Sequence, residues 1–128
     1  MIRLECEIIL VATRDKQVKK VALDVLKSPH TRLLFAQNIK DYFEYLLHEN
    51  VSLIIFDANI LPLKGFDAYS VSKNYHPDIT SVLIYDHENF EDMGAILKKG
   101  FVYRTAKPLE EKYLKEIHVT TLPRLKKS

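Results

Sequence analysis

The stretch SLIIFDANILPLKGFDAY, residues 52–69, decides the fold of this chain because an apolar run within it ends on one carboxylate. The run Leu53–Phe56 is wholly apolar, which is typical of a strand that is buried on both faces of a sheet. Asp57 ends the run, and the turn-forming residues Pro62 and Gly65 follow it. A charged residue at the end of a buried strand raises the question of whether Asp57 has a chemical role.

Four other segments are short and mostly apolar without alternation: CEIILVA at 6–12, RLLFA at 32–36, TSVLIY at 80–85 and FVYRTA at 101–106. Continuous apolar runs of this length indicate strands that are buried on both faces, as in a parallel sheet. We therefore predict five strands.

The segments between these strands predict helices. In the first, the apolar residues from Val18 to Leu26 recur at i, i+3, i+4, i+7 and i+8, which makes one buried stripe. Four lysines lie largely off that stripe and indicate a solvated face: Lys16, Lys19, Lys20 and Lys27. Asn38 is a plausible N-cap for the second helix, and Asn50 can cap its end.

Three more helices are predicted in the second half of the chain. The third follows Gly65 and ends before Pro77, because the residue before a proline disfavours the helical conformation. The fourth begins at an Asn89 cap and stops at Gly100. The fifth begins after Pro108.

Strands and helices thus alternate five times, which predicts an α/β fold: a (βα)5 three-layer sandwich with a five-stranded parallel sheet and five helices. Such sheets carry their functional sites in the loops beyond the carboxyl ends of the strands. We predict one domain over residues 1–119. Residues 120–128 are basic and contain Pro123, which indicates a tail or the start of a linker.

Composition excludes several classes of protein. The 128 residues are 47% hydrophobic and 28% charged, an ordinary balance for one globular domain. The net charge of +2 is too small to indicate nucleic acid or an anionic membrane, and no apolar run approaches the roughly 20 residues that span a bilayer. Cys6 is the only cysteine, and the histidines lack metal-binding spacing. We expect a cytoplasmic protein without a nucleic-acid or membrane partner.

Two charged residues follow strands of the predicted sheet. Asp57 ends the third strand, and Lys107 follows the fifth in the segment TAKPLEE. Because the carboxyl ends of parallel strands meet at one edge, we expect an ion pair between these two side chains. An ion pair alone is weak evidence for catalysis.

With these residues in order, the chain resembles the receiver domains of bacterial two-component response regulators, which have the CheY-like, flavodoxin-like fold. The resemblance covers essentially the whole chain and rests on Asp57, Gly65 followed by Phe66, LKKG before the fifth strand and AKP after it. It implies that Asp57 corresponds to the aspartate that a histidine kinase phosphorylates and that Lys107 contacts the phosphoryl oxygens. It also implies a cis Lys107–Pro108 bond and no enzyme activity beyond weak self-phosphorylation and dephosphorylation at Asp57.

The chain departs from the receiver pattern where receivers hold Mg²⁺. Ala12 and Thr13 occupy the positions of the usual acidic pair, and neither supplies a carboxylate. Asp15 lies two residues further on and is expected to cap the first helix. Asp57, with the backbone of Asn59, then remains as a weak Mg²⁺ ligand set, so we expect Mg²⁺ binding to fall sharply.

A second departure places Asp86 where receivers usually carry a serine or threonine. If its carboxylate lies about 5 Å from that of Asp57, their repulsion is about 3 kcal/mol at an effective dielectric constant near 20. One hypothesis is a standing Asp57–Lys107–Asp86 network. The alternatives are that both aspartates hold a divalent cation, or that Asp86 faces solvent or caps the fourth helix.

These features predict an atypical receiver, or pseudo-receiver, that acts by binding proteins; the alternative is a working phosphoacceptor. A nucleotide binder is disfavoured because the chain has three glycines and no glycine-rich loop. The predicted partners are a histidine kinase, an output domain or a second copy of the chain. The resemblance places the interaction surface on the fourth helix, the fifth strand and the fifth helix, here Lys98, Lys99, Tyr103, Arg104 and Glu111.

Overall fold

The structure is a computed structural model that describes residues 7–57, 79–86 and 103–126, with side chains described as far as residue 119. The elements are β1 (Glu7–Ala12), α1 (Lys16–Leu26), β2 (Thr31–Ala36), α2 (Ile39–His48), β3 (Leu53–Asp57), β4 (Thr80–Tyr85), β5 (Tyr103–Ala106) and α3 (Glu111–Lys126). The five predicted strands are confirmed, as are the predicted first, second and fifth helices. The predicted third and fourth helices lie outside the described residues.

The five strands form one parallel sheet in the order β2-β1-β3-β4-β5. The chain passes from β1 to β2 on one side and later returns to place β3 on the other side of β1. Ala12 at the end of β1 pairs with Phe56, so Asp57 lies one residue beyond it on the neighbouring strand. In open parallel sheets this reversal of strand order is where binding crevices form.

Burial follows position in the sheet. All five residues of β3 are buried, as are all residues of β4 except Tyr85 at its end. The prediction that every strand is buried on both faces is wrong for the two edge strands: Arg32 of β2 is exposed and binds Glu49 at 3.1 Å, and Arg104 of β5 is exposed. β2 is an edge strand, so its neighbours cover only part of each face.

Two hydrophobic clusters fill the space between the sheet and the helices. On one face, α2 packs Tyr42 and Leu46 against the sheet, with the ring of Tyr42 edge-on to Phe56 at 5.3 Å. On the other face, α1 and α3 share one cluster with the alternate strand residues. Since successive strand residues point to opposite faces, the continuous apolar runs supply both clusters at once.

The first two helices begin at the predicted caps. Asp15 Oδ1 accepts from the backbone N–H of Gln17 at 2.8 Å, and Asn38 Oδ1 accepts from that of Asp41 at 2.8 Å. The predicted Asn50 cap is wrong, because α2 ends at His48 and its C-cap is Glu49, which is in an extended conformation. The short apolar stripe of α2 ends before Asn50 is reached.

The helix α3 is attached to β1 at the amino edge of the sheet by a pair that sequence analysis did not predict. His118 Nε2 lies 2.8 Å from Oε1 of Glu7, a carboxylate that is almost fully buried at the start of β1. The other carboxylate oxygen, Oε2, is buried and has no hydrogen-bond partner among the described residues. The pair therefore attaches α3 to β1 and leaves Oε2 of Glu7 unsatisfied within the described part of the chain.

The helix α3 continues to Lys126, past residue 119, so residues 120–126 are helical. The predicted domain boundary at 119 stays a prediction. Within the described parts of the chain, no helix is both long enough and apolar enough to cross a membrane.

Candidate functional site

Asp57, the last residue of β3, is the centre of a polar cluster at the carboxyl edge of the sheet. It is only 1% exposed. Its Oδ2 accepts a hydrogen bond from Thr13 Oγ1 at 2.7 Å and lies 2.9 Å from Lys107 Nζ. The predicted Asp57–Lys107 ion pair is therefore confirmed.

Lys107 lies just beyond β5 and is held by its backbone as well as by its ammonium group. Its backbone N–H donates to the carbonyl of Tyr85 at 2.8 Å, and its peptide bond to Pro108 is cis, as the resemblance implies. The ammonium group binds Asp15 Oδ2 at 3.0 Å in addition to Asp57. Burial alone would lower the pKa of Lys107, but its hydrogen bonds to Asp57 and Asp15 outweigh burial and raise this pKa.

Asp15 uses both carboxylate oxygens. Oδ1 caps α1 through the N–H of Gln17, and Oδ2 binds Lys107. The hydrogen bond from Lys107 is the main cause of a lowered pKa for Asp15. Sequence analysis predicted the cap but missed the place of Asp15 in the site. The available signal was its position, because an N-cap that directly follows a parallel strand lies at the same sheet edge as Asp57.

Thr13 closes these contacts into a ring. Its hydroxyl donates to Asp57, while its Oγ1 accepts from the backbone N–H of Asp15 at 3.0 Å. The ring runs from Asp15 N–H to Thr13, from Thr13 to Asp57, and through the ammonium of Lys107 back to Asp15. We call these four residues the charge ring. It holds two carboxylates and one ammonium, and it joins the ends of β1, β3 and β5.

A second link joins α1 to the loop after β5. Gln17 Nε2 donates to the carbonyl of Leu109 at 2.8 Å, and the Leu109 N–H donates to Gln17 Oε1 at 3.1 Å. The side chain of Leu109 is 2% exposed and packs in the cluster between α1 and α3. Gln17 was not among the predicted site residues, because a single exposed glutamine on a helix carries no pattern that marks it.

The remaining predicted site residues are placed as follows. Asp86 lies directly after β4 and is half-buried. Its predicted membership of an Asp57–Lys107–Asp86 network stays a prediction, and the second carboxylate that the structure gives Lys107 is that of Asp15. Asn59, Lys98 and Lys99 lie outside the described residues.

Three residues of the predicted interaction surface are described. Arg104 and Glu111 are exposed and Tyr103 is half-buried, and they lie on β5 and the first turn of α3. The Tyr113 hydroxyl donates to the Arg104 carbonyl at 2.7 Å, which attaches α3 to the edge strand beside this surface. Their predicted role in binding a partner stays a prediction.

No three acidic, histidine or cysteine side chains converge to hold a metal ion within residues 7–57, 79–86 and 103–119. Ala12, at the position of the usual first acid, is fully buried in the α2-side cluster and offers only a methyl group.

No protein-family model matches this sequence, and no curated protein matches it. Solved structures do match. A CheY-like receiver domain protein from Methanospirillum hungatei JF-1 has a TM-score of 0.80 at 15% identity, covering 97% of this chain and 100% of that chain. The signal receiver domain of an HD domain-containing protein from Pseudomonas fluorescens Pf-5 has a TM-score of 0.81 at 16% identity, with the same coverage of 97% and 100%. This chain has the receiver fold.

A further solved structure also matches this chain. A response regulator protein from Burkholderia pseudomallei, solved with a phosphorylated aspartic acid, a calcium ion and citrate, has a TM-score of 0.72 at 15% identity. The match covers 84% of this chain and 64% of that chain. At this identity the likeness establishes the fold alone.

Proposed function

We propose that this chain is a receiver-like signalling domain of a two-component system that acts by binding proteins and does not use Asp57 as a phosphoacceptor. The receiver fold supports the signalling role. The charge ring carries the second part of the proposal, because it satisfies the Asp57 carboxylate with groups of the protein itself.

The side chains around Asp57 offer few ligand atoms for Mg²⁺. Mg²⁺ requires near-octahedral oxygen ligands at about 2.0–2.1 Å and is usually bound by one or two carboxylates with water and phosphate oxygens. Here Ala12 supplies no metal ligand, and the Thr13 hydroxyl is hydrogen-bonded to Asp57 and Asp15. The Lys107 ammonium lies against the oxygens of both carboxylates, so a metal ion would have to displace it.

Charge and access also disfavour phosphorylation. A phosphoryl group adds up to two negative charges at neutral pH. Asp15 lies on the other side of Lys107, so the one ammonium would have to neutralise the phosphoryl group as well as this carboxylate. With Asp57 only 1% exposed, a phosphate donor also has to displace part of the charge ring to reach it.

The alternative is a working phosphoacceptor. Asp57 at the end of β3, with Lys107 at 2.9 Å after β5, has the arrangement that the receiver resemblance implies for phosphoryl transfer. The Burkholderia pseudomallei protein of the same fold carries a phosphorylated aspartic acid. In this alternative, Lys107 leaves the carboxylates and binds the phosphoryl oxygens.

Intact-mass measurement after incubation with acetyl phosphate and Mg²⁺ separates the two functions. We expect no adduct of roughly 80 Da, the mass of one phosphoryl group. A receiver domain that accepts phosphate from acetyl phosphate serves as the positive control, and Asp57→Asn serves as the site control. An adduct that forms on the wild type and is absent from Asp57→Asn would establish the phosphoacceptor and overturn the proposal.

A further inference from the structure

Gln17 makes the longest-range side-chain-to-backbone contact at the site. It lies on the first turn of α1, yet its carboxamide binds both the N–H and the C=O of Leu109, 92 residues further along the chain. When a carboxamide donates to and accepts from the backbone of the same residue, the two hydrogen bonds resemble the paired bonds of a β-ladder. It therefore fixes both the position and the orientation of that backbone.

Fixing Leu109 constrains Lys107. Only Pro108 separates them, and the proline ring holds its own φ near −65°. The buried Leu109 side chain anchors the same short segment in the cluster between α1 and α3. The Lys107 backbone is thus tied to β4 through the Tyr85 carbonyl and to α1 through Gln17.

The ion pair of Lys107 with the buried Asp57 is largely shielded from water, whereas the one with Asp15 reaches solvent. The Asp15 side chain is 30% exposed, and ion pairs that reach solvent contribute little because water screens them and long side chains lose entropy. Lysine has a flexible four-carbon stem, so an ammonium stays at one point only when its backbone is held there.

We propose that Gln17 is a positioning residue that holds the loop after β5, and through it the Lys107 ammonium, in the charge ring. The charge ring is then kept closed by a residue of α1, and its closure does not depend on a modification of Asp57. This inference rests on the proposed function in one respect, namely that the closed ring is the working state of the domain.

The test compares Gln17→Leu with the wild type in the absence of any phosphate donor. Leucine keeps much of the volume of glutamine but has no hydrogen-bonding group. We expect exchange of the Leu109 amide, measured by NMR, to rise by about fivefold or more, the factor for loss of one ordinary hydrogen bond. We also expect acetylation of Lys107 by an amine-reactive ester, read by peptide mass, to rise by a similar factor relative to exposed Lys112.

Two further variants make the result specific. Gln37→Leu is the matched control, because Gln37 is exposed in the turn between β2 and α2, and we expect no change in either measurement. Gln17→Glu keeps the acceptor for the Leu109 N–H and loses the donor, so we expect an intermediate effect. Amide exchange in α2 reports general loosening and is expected to stay unchanged in all three variants.

Unchanged acetylation of Lys107 in Gln17→Leu would overturn the inference, since the carboxylates would then hold the ammonium without help. An equal rise in Gln37→Leu, or a parallel rise of exchange in α2, would overturn it too. These outcomes are distinct from failure of the proposed function. Only phosphorylation of wild-type Asp57 would show that the proposed function is wrong.

Discussion

At the scale of single residues, the site is defined by how each polar atom of the charge ring is satisfied. The Thr13 hydroxyl is both donor and acceptor, which allows it to connect Asp15 to Asp57. An aspartate at position 13 would bring a further negative charge and, when ionised, no donor for Asp57. Threonine at position 13 therefore supplies the hydroxyl that links Asp57 to Asp15 in the ring.

Thr13→Val tests this account. Valine matches threonine in shape but removes the hydroxyl, which leaves the buried Asp57 carboxylate and the Asp15 N–H each short of a partner. We expect a loss of about 1–3 kcal/mol in the free energy of unfolding, measured by urea denaturation. Thr13→Ser keeps the hydroxyl and is expected to lose less. A larger loss in Thr13→Ser than in Thr13→Val would mean that packing of the methyl group, not the hydrogen bonds, stabilises this position.

Asp15 gives the site a defined pH dependence. Its pKa is lowered in the folded chain, chiefly by Lys107, so its ion pair stabilises the fold above the unfolded pKa of about 3.9 and is lost as pH falls through the folded pKa. Asp15→Asn keeps a good N-cap and removes the charge. We expect it to be less stable than the wild type near pH 7, with the difference shrinking below about pH 4.

Urea denaturation of both proteins at several pH values measures this difference. A gap between wild type and Asp15→Asn that stays constant down to about pH 2 would contradict the role of the Asp15 charge. Asp41→Asn is a suitable control, since Asp41 lies on α2 and contacts the cap residue Asn38 rather than Lys107.

At the scale of elements, α3 is attached to the rest of the molecule just before its first residue and again near its middle. Leu109, just before the helix, is held by Gln17, and His118 is held by the buried Glu7 of β1. Tyr113 adds a bond to β5 between them. The helix is therefore fixed to three elements by side-chain contacts that its own apolar stripe does not reveal.

The Glu7–His118 pair predicts a non-additive mutant cycle. His118→Leu removes the one partner that the described residues give the nearly buried Glu7 carboxylate, and we expect a loss of about 3 kcal/mol in the free energy of unfolding. Adding Glu7→Leu removes the unpaired charge, so the double variant is expected to regain most of that loss. Urea denaturation of the two single variants and the double variant checks this. Additive losses would show that the two side chains do not interact.

At the scale of the whole molecule, the sheet order brings the charge ring together. Placing β1 between β2 and β3 sets the ends of β1 and β3 side by side, and the loop after β5 reaches them across the end of β4. α1 and α3 share one face of the sheet, and α3 carries Glu111 of the predicted interaction surface.

Placing the acidic pair of receivers at positions 12 and 13 is expected to make the melting temperature depend on Mg²⁺. In the variant Ala12→Asp/Thr13→Asp, three carboxylates meet at Asp57, and we expect millimolar Mg²⁺ to raise its melting temperature by several degrees while the wild type does not respond. Thermal melts with and without Mg²⁺ measure the shift in melting temperature within each protein. Any destabilisation from burying an acid at position 12 is present in both melts and cancels. A wild type that responds as strongly as the variant would show that other ligands replace the acidic pair.

The strands, three of the helices and two helix caps were predictable because they depend on local pattern: apolar runs, 3.6-residue periodicity and capping side chains. The order of Asp57 and Lys107 along the chain was enough to predict their ion pair, since parallel strands end at one edge of the sheet. The edge position of β2, the second partner of Lys107 and the contacts of Gln17 and Glu7 were not predictable in this way. The contacts among these join residues far apart in sequence through hydrogen bonds or ion pairs, and such contacts leave no periodic trace. The sequence alone determined the fold and the main ion pair of its site, and only the tertiary structure decided which groups close the ring around Asp57.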